Sequence, residues 1–191
     1  MAMRGRDDEL ARLTGAAATG DADALCELVR ATQGDVWRFI AHLAGVQAAD
    51  DLTQETYLRA LRSLPAFGHR APVRVWLLAI ARHVVATHFD QAAREQRRRQ
   101  RLVAQPADPA GGDPGEALAL GDLIDSLSRE HRDAFVLTQV LGLSYADAAT
   151  VCRCPVGTIR SRVARARDRL IVGYDADSAD RDAKPARRQR L

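Results

Sequence analysis

Residues 156–170, VGTIRSRVARARDRL, combine five arginines with a serine and a threonine at helical spacing. Placing each residue about 100° from the last gathers the apolar side chains on one narrow face: Val156, Ile159, Val163, Ala166 and Leu170. The hydrogen-bonding side chains fall opposite them or, for Arg160, on the flank: Thr158, Arg160, Ser161, Arg162 and Arg165. Arginine can donate two hydrogen bonds at once to guanine or to phosphate, and Ser and Thr can contact either. The spacing therefore predicts a helix that packs inward and binds nucleic acid outward.

A second short helix is predicted just before this one. Ser144 is a good N-cap, and Asp147 follows at the spacing of a capping box. Pro155 suits the start of the next helix, so 143–170 has the layout of a helix-turn-helix, whose second helix enters the major groove. The turn position that favours glycine holds Arg153, which should strain the turn. The alternative is an ordinary helix pair with a solvated basic face.

Composition limits what these helices can belong to. The chain has 191 residues, of which 47% are hydrophobic but only 5% aromatic, so its cores must consist mostly of aliphatic side chains. No stretch approaches the roughly 20 apolar residues of a membrane span, and the charged start predicts no export signal. Three irregularly spaced cysteines suit a reducing compartment. We therefore expect a cytoplasmic protein without a membrane segment.

The positive charge is unevenly placed. The net charge is only +3, yet basic residues cluster at 94–101, 153–169 and 187–190, and Lys184 is the only lysine among 28 basic residues. An arginine-rich composition, as in a high-GC genome, explains how many arginines there are. It does not explain where they lie, and such clusters are typical of surfaces that bind nucleic acid.

Apolar periodicity predicts helices along nearly the whole chain. In the N-terminal part we expect helices at 21–45, at about 48–64 and at 73–89, with a proline-bracketed loop at 65–72 between the last two. Asp21 or Asp23 can cap the first helix and Gly45 can end it.

The predicted fold class is all-α, with two small helical domains joined by a flexible linker. Three prolines and three glycines within 103–117 mark the linker, and the C-terminal domain contains the helix-turn-helix. The expected organisation is a flexible N-terminus at 1–20, a first domain at 21–100, the linker at 101–117, a second domain at 118–172 and a disordered tail at 173–191.

Three segments carry a resemblance to a known family. CPVGTIRSRVARARDRL (154–170) resembles the last conserved region of extracytoplasmic-function (ECF) sigma factors of the sigma-70 family. ADDLTQETYLRAL (49–61) is similar to that family's polymerase-binding segment, and RVWLLAIARHVVATHF (74–89) to its −10 recognition helix. The order and spacing match from about 20 to 172. The resemblance implies a non-catalytic subunit without metal or cofactor, whose partners are core RNA polymerase, promoter DNA and, as a further candidate, an anti-sigma factor.

The polymerase-binding residues implied by the resemblance lie on the second helix. Asp51, Gln54, Glu55 and Leu58 fall within about a third of its circumference and would dock on the clamp helices of the largest polymerase subunit. The alternative is that acids near the start of the helix serve its dipole. For Asp50 we favour the dipole, and for Gln54 and Glu55 the interface.

The −35 element would be read by the helix at 156–170, and the −10 element by the helix at 73–89 with the loop before it. One side of this helix should be buried, including Val73, Leu77, Leu78, Ile80, Val84, Val85 and Phe89. The other side and the loop would capture unstacked bases, through Phe67, His69, Arg70, Arg74, Trp76, Arg82, His83 and Thr87. Trp76 could equally be core. His83 and Thr87 stand where the family often has Asn and Asp, so the bases read are open, and His83 adds a possible pH dependence.

Two rival interpretations remain from the sequence. A helix-turn-helix regulator that acts without polymerase would explain 143–170 but leaves 46–89 without a role. A metal-dependent enzyme or sensor would use Cys152 and Cys154 with histidines, although Cys-x-Cys without a nearby His pair is a weak ligand set. Cys152 also falls on a face that should be packed.

Overall fold

A computed structural model describes residues 2–68, 71–102, 123–124 and 126–183, and every described element is helical, which confirms the all-α prediction. The helices are α1 Ala2–Ala18, α2 Ala22–Ala44, α3 Val46–Ser63, a 3₁₀ turn Leu64–Ala66, α4 Val73–Leu102, α5 Arg129–Phe135 continued by a π-helical segment Val136–Val140, α6 Tyr145–Cys152 and α7 Val156–Ala183. Helices α1–α4 form the N-terminal half, and α5–α7 form the C-terminal half.

Helices α2 and α3 begin and end within two residues of their predicted bounds, and local caps set both ends of α2. The Asp21 carboxylate accepts hydrogen bonds from the backbone N–H groups of Asp23 and Ala24, both at 3.0 Å. Gly45 separates the helices at φ 82°, a conformation that glycine adopts without steric cost. Its N–H closes α2 on the carbonyl of Ala41.

The prediction of a flexible N-terminus at 1–20 is wrong, because this segment forms α1. Leu10 and Leu13 are buried where α1 packs on α2. Thr14 is fully buried, and its hydroxyl donates to the Leu10 carbonyl at 2.5 Å. Leu10, Leu13 and Ala17 share one helical face, but the charges around them hid this short apolar pattern in the sequence.

The first part of helix α4 supplies the central packing surface of the N-terminal half, and its last part extends beyond this half. The buried side is close to the prediction, with Val73, Val75, Leu77, Leu78, Val84 and Val85 at most 4% exposed. Phe89, predicted to extend this buried side, is 42% exposed instead. From there α4 continues to Leu102, well beyond the predicted end at 89. Most side chains after Phe89 face solvent because no other described helix covers them.

In the C-terminal half, α6 and α7 form the predicted helix-turn-helix. The Ser144 hydroxyl accepts a hydrogen bond from the Asp147 N–H at 3.0 Å and donates to the Asp147 carboxylate at 2.7 Å, so Ser144 caps α6 as expected. On α7, Ile159, Val163 and Ala166 are at most 1% exposed. Val156 and Leu170 pack beside them, and the predicted inward face is confirmed.

Arg153 ends α6 in the left-handed region, at φ 53° and ψ 48°. An L-residue with a side chain pays roughly 1–2 kcal/mol for this conformation, which glycine avoids. We predict that Arg153→Gly raises the free energy of unfolding by about 1 kcal/mol, measured by urea denaturation. Arg153→Ala removes the same charge but keeps the strain, so it should show no such gain. An equal gain in both variants, or a loss in Arg153→Gly, would contradict a backbone origin.

The two halves pack directly on each other, mainly through α4 and α6, and their buried residues belong to one continuous core. Helix α7 runs on to Ala183, so the prediction of a disordered tail from 173 is wrong for its first part. Gly173 lies so close to Leu123 that a Cβ at this position would stand 2.8 Å from its side chain. The predicted linker after Leu102 and the end of the tail, 184–191, lie outside the described residues.

Candidate nucleic-acid and polymerase interfaces

The outward face of α7 presents the residues predicted to read DNA. Arg160, Ser161 and Arg165 are exposed, while Thr158 and Arg162 are half-buried beside the turn. The Ser161 hydroxyl donates to the Thr158 carbonyl at 3.0 Å. The faces of α7 thus separate packing from polar contact, as a groove-reading helix requires.

Arg167 was not among the residues predicted to bind DNA, but its side chain makes a contact with another element. Its guanidinium donates to the Gln139 side-chain oxygen at 2.6 Å, which ties α7 to the π-helical segment after α5. Arg167 lies on the same flank as Arg160, two turns further along the helix. The spacing alone could have shown this shared flank, but not the partner from another element.

The face of α4 predicted to capture bases is partly open. His83 is exposed, and the Thr87 hydroxyl donates to the His83 carbonyl at 3.0 Å. Trp76 is half-buried against the core, and its ring lies 4.4 Å from the Phe67 ring at 37°. Phe67 itself is only 9% exposed, which favours a packing role. His69 and Arg70 lie outside the described residues.

Two further arginines predicted to face the −10 element are engaged in contacts that join the halves. Arg82 donates to the Asp133 carboxylate at 2.6 Å, and Asp133 is fully buried. Arg74 donates to Asp35 at 2.6 Å and to the Leu141 carbonyl, also at 2.6 Å. In this arrangement both arginine side chains are mostly covered, with 15% of Arg74 and 27% of Arg82 accessible to solvent.

The two carboxylates in these contacts have opposite pKa shifts. Burial raises the pKa of Asp133, and the positive charges of Arg82 and, to a lesser extent, Arg129 offset this only in part. Burial alone would also raise the pKa of Asp35, but the positive charges and hydrogen bonds of Arg74 and Arg38 outweigh this effect, so the pKa of its carboxyl group is lowered. Asp35 is therefore a stable anion within the N-terminal half. The ion-pair partner of Asp133 is Arg82, which lies in the other half of the molecule.

The polymerase-binding residues predicted on α3 form an exposed surface. Asp51 and Gln54 face solvent, Leu58 is 51% exposed and Glu55 is paired with Arg59 at 2.7 Å. The predicted residues thus lie together on one side of α3.

Helix α2 adds residues to this surface that sequence reasoning missed. Grooves between α2 and α3 are lined by Gln33, Trp37, Gln54 and Leu58, together with Leu61, which is 39% exposed. The unburied Leu61 was the available signal, since it follows Leu58 by nearly one turn. The groove itself depends on how α2 packs on α3, which the sequence does not state.

Asp50 has a different role from the predicted one. Helix α3 begins at Val46, so Asp50 stands in the second turn, where the helix dipole acts weakly. Its carboxylate instead accepts a hydrogen bond from the Trp37 indole N–H at 2.8 Å. Asp50 therefore orients Trp37 in the groove between α2 and α3.

Nothing in the described residues supports a metal centre. They contain no group of three or more His, Cys, Asp or Glu placed to hold an ion. Burial raises the pKa of the Cys152 thiol to about 12. The thiolate is the form that binds metals, so Cys152 behaves as a small core residue. No described helix combines the length and apolarity needed to span a membrane.

Comparison with known proteins agrees with this geometry. The family described as Sigma-70 region 2 matches residues 28–95, and the family described as Sigma-70, region 4 matches residues 117–170. The first match contains α3 and most of α4, and the second contains the helix-turn-helix. The two matches define the chain as a sigma-70 protein.

Relatives that match most of the chain show to which group of sigma-70 proteins it belongs. The ECF RNA polymerase sigma factor SigC of Mycobacterium tuberculosis is 50% identical over 179 residues, covering 90% of this chain and 94% of that protein. The ECF RNA polymerase sigma factor EcfG of Rhodopseudomonas palustris is 34% identical, covering 83% of this chain and 89% of that protein. The chain therefore belongs to the ECF sigma factors, which confirms the resemblance.

Solved structures show the same fold. The sigma factor RpoE of Bartonella quintana, in complex with the anti-sigma factor NepR, has a TM-score of 0.66 and 27% identity, covering 80% of this chain and 98% of that chain. CnrH in complex with the cytosolic domain of CnrY has the same TM-score and 26% identity, covering 86% and 96%. Both neighbours were solved with a protein partner bound.

Proposed function

We propose that this chain binds core RNA polymerase and directs it to promoters, reading the −35 element with α7 and the −10 element with α4. The observation that supports this most is the pairing of two sigma-70 regions with two separate polar surfaces in one chain. A helix-turn-helix regulator acting alone would not need the exposed surface on α3. The proposed site of action is the cytoplasm, where RNA polymerase and promoter DNA meet.

The proposed mechanism is positioning and strand capture, without a catalytic step in this chain. Opening one base-pair step costs about 1.4 kcal/mol of stacking. Each base captured on a side-chain platform returns roughly 1–3 kcal/mol, so a few bases held by α4 offset the opening. The exposed His83 and the half-buried Thr87 are the polar residues for this task. When both halves are held on polymerase and one of them has bound its DNA element, the effective concentration of the other element near the other half is raised.

Binding of the −10 element through Arg74 and Arg82 requires the halves to separate. Arg74 and Arg82 are proposed to face the −10 element, yet both are held by the C-terminal half through Leu141 and Asp133. The proposed active form on polymerase therefore lacks these two contacts. We also propose an anti-sigma factor as a further partner. The similar structure of RpoE is a complex with the anti-sigma factor NepR, and that of CnrH is a complex with the cytosolic domain of CnrY.

We predict that Gln54→Ala with Glu55→Ala weakens binding to core polymerase by at least about tenfold, because interface side chains that matter commonly contribute more than 1 kcal/mol each. The measurement is a quantitative pull-down with purified core enzyme. Glu27→Ala with Gln91→Ala changes the same residue types at exposed positions away from the groove and should bind like wild type. Wild-type binding by the Gln54/Glu55 variant would remove α3 from the proposed interface.

A further inference from the structure

Three arginines lie on one exposed line of α4 beyond the N-terminal core. Arg94, Arg97 and Arg98 recur at helical spacing and occupy an arc of about 100°. All three are exposed, and the side chain of Arg98 is 74% accessible. We call these three residues the arginine stripe.

The arginine stripe continues the face that carries the proposed base-capturing residues. Trp76, His83 and Arg94 differ by no more than about 20° around the helix axis, because 11 and 18 residues complete almost whole numbers of turns. Asp90 is the one acidic residue on this line. Since α4 is a single helix from Val73 to Leu102, the two surfaces are held in a fixed relation.

Packing does not account for the stripe. Glu95 pairs with Arg98 at 3.4 Å and with Arg99 at 3.1 Å, whereas Arg94 and Arg97 make no ion pair with any residue that the structure describes. The segment therefore keeps an excess of positive charge while burying almost nothing. Surface arginines aligned on a rigid helix are suited to a ligand with regularly spaced negative charges.

The distance along α4 fits duplex DNA next to the proposed −10 contacts. At 1.5 Å per residue, Arg94 stands about 16 Å from His83. This length corresponds to about five base pairs at 3.4 Å each. In the sequence, α4 is followed by the half that carries the helix-turn-helix, which is proposed to bind the upstream −35 element. The stripe therefore lies on the upstream side of the captured bases.

We propose that the arginine stripe binds the phosphate backbone of the double-stranded DNA immediately upstream of the opened −10 segment. The inference rests on the proposed function and adds a third DNA contact to it. Arginine contacts to phosphate position a protein without specifying sequence. The stripe would thus fix the register of the duplex on α4 for any promoter sequence in the spacer.

The test uses the full chain bound to core polymerase and forked promoter DNA, with binding followed by fluorescence anisotropy at several salt concentrations. One probe keeps about 20 base pairs of duplex upstream of the opened segment, and the other keeps only about two. Arg94→Gln, Arg97→Gln and Arg98→Gln are combined, since glutamine preserves helix propensity. We expect about tenfold weaker binding to the long probe, with a salt slope smaller by up to about 3, and unchanged binding to the short probe.

Arg99→Gln is the matched control, because Arg99 lies about 140° from Arg94 around the same helix. It should bind both probes within about twofold of wild type, as expected for a side chain that contacts no phosphate. Wild-type binding by the triple variant, an equal loss on both probes, or an equal loss in Arg99→Gln would each overturn the inference. If wild-type holoenzyme binds neither probe, the proposed function fails together with it.

Discussion

Replacing Arg160 and Arg165 together by alanine is expected to reduce transcription from the cognate promoter by about 100-fold. Each arginine that contacts a guanine with two hydrogen bonds provides about 1–3 kcal/mol of discrimination, and both side chains are exposed on α7. The measurement is run-off transcription with purified core polymerase. Binding to core polymerase should survive, because the proposed polymerase surface lies on α2 and α3 in the other half of the molecule.

Arg169→Ala is the control for this experiment. Arg169 is exposed on α7 but lies about 13 Å beyond Arg160 along the helix, away from the N-terminal part that reads bases. It should reduce transcription far less and change no promoter preference. Full promoter selectivity in the Arg160/Arg165 variant would show that α7 does not read the −35 element through these residues.

Truncating Arg82 is the second change with a large expected effect. Arg82→Ala leaves the fully buried Asp133 carboxylate without its partner across the junction. Breaking a buried pair in this way typically costs about 3–5 kcal/mol. We expect a loss near 3 kcal/mol in the free energy of unfolding of the free protein, measured by urea denaturation at pH 7. Arg82→Ala combined with Asp133→Ala should recover part of the loss, because no unpaired buried charge then remains at this contact.

The loss of stability caused by Arg82→Ala should also depend on pH, in a defined direction. Burial raises the pKa of Asp133 above its unfolded value, so its contribution to stability is complete below the unfolded pKa and is lost as the pH rises through the folded value. Removing Arg82 strengthens this trend. The cost of Arg82→Ala should therefore shrink at about pH 4.5, where carboxylates begin to protonate. A cost that stays constant between the two pH values would show that Asp133 is not the group responsible.

Local features of the sequence predicted the helical elements well. Asp21, Gly45 and Ser144 act within a few residues of themselves, so their caps could be assigned without knowledge of the fold. The inward face of α7 followed from spacing alone, because Ile159 and Val163 recur at helical intervals. Arg153 was correctly placed in a left-handed turn since the motif requires one there.

Contacts between distant parts of the chain were not predictable in the same way. Arg82 and Asp133 are 51 positions apart, and no periodicity in the sequence connects them. Asp50 was assigned to the helix dipole because its indole partner Trp37 lies on another helix. Helix α1 was missed since three small or branched apolar residues among charges give a weak pattern. The surfaces predicted on α3, α4 and α7 stay predictions about function.

The most direct test of the central claim is run-off transcription from a library of promoter fragments with core polymerase and this chain. We expect discrete transcripts whose start sites share two upstream elements, and no such transcripts from core polymerase alone. The Arg160/Arg165 variant should lose them while still binding core. Transcription from no defined site, with core polymerase shown to be active with another initiation factor, would contradict the account.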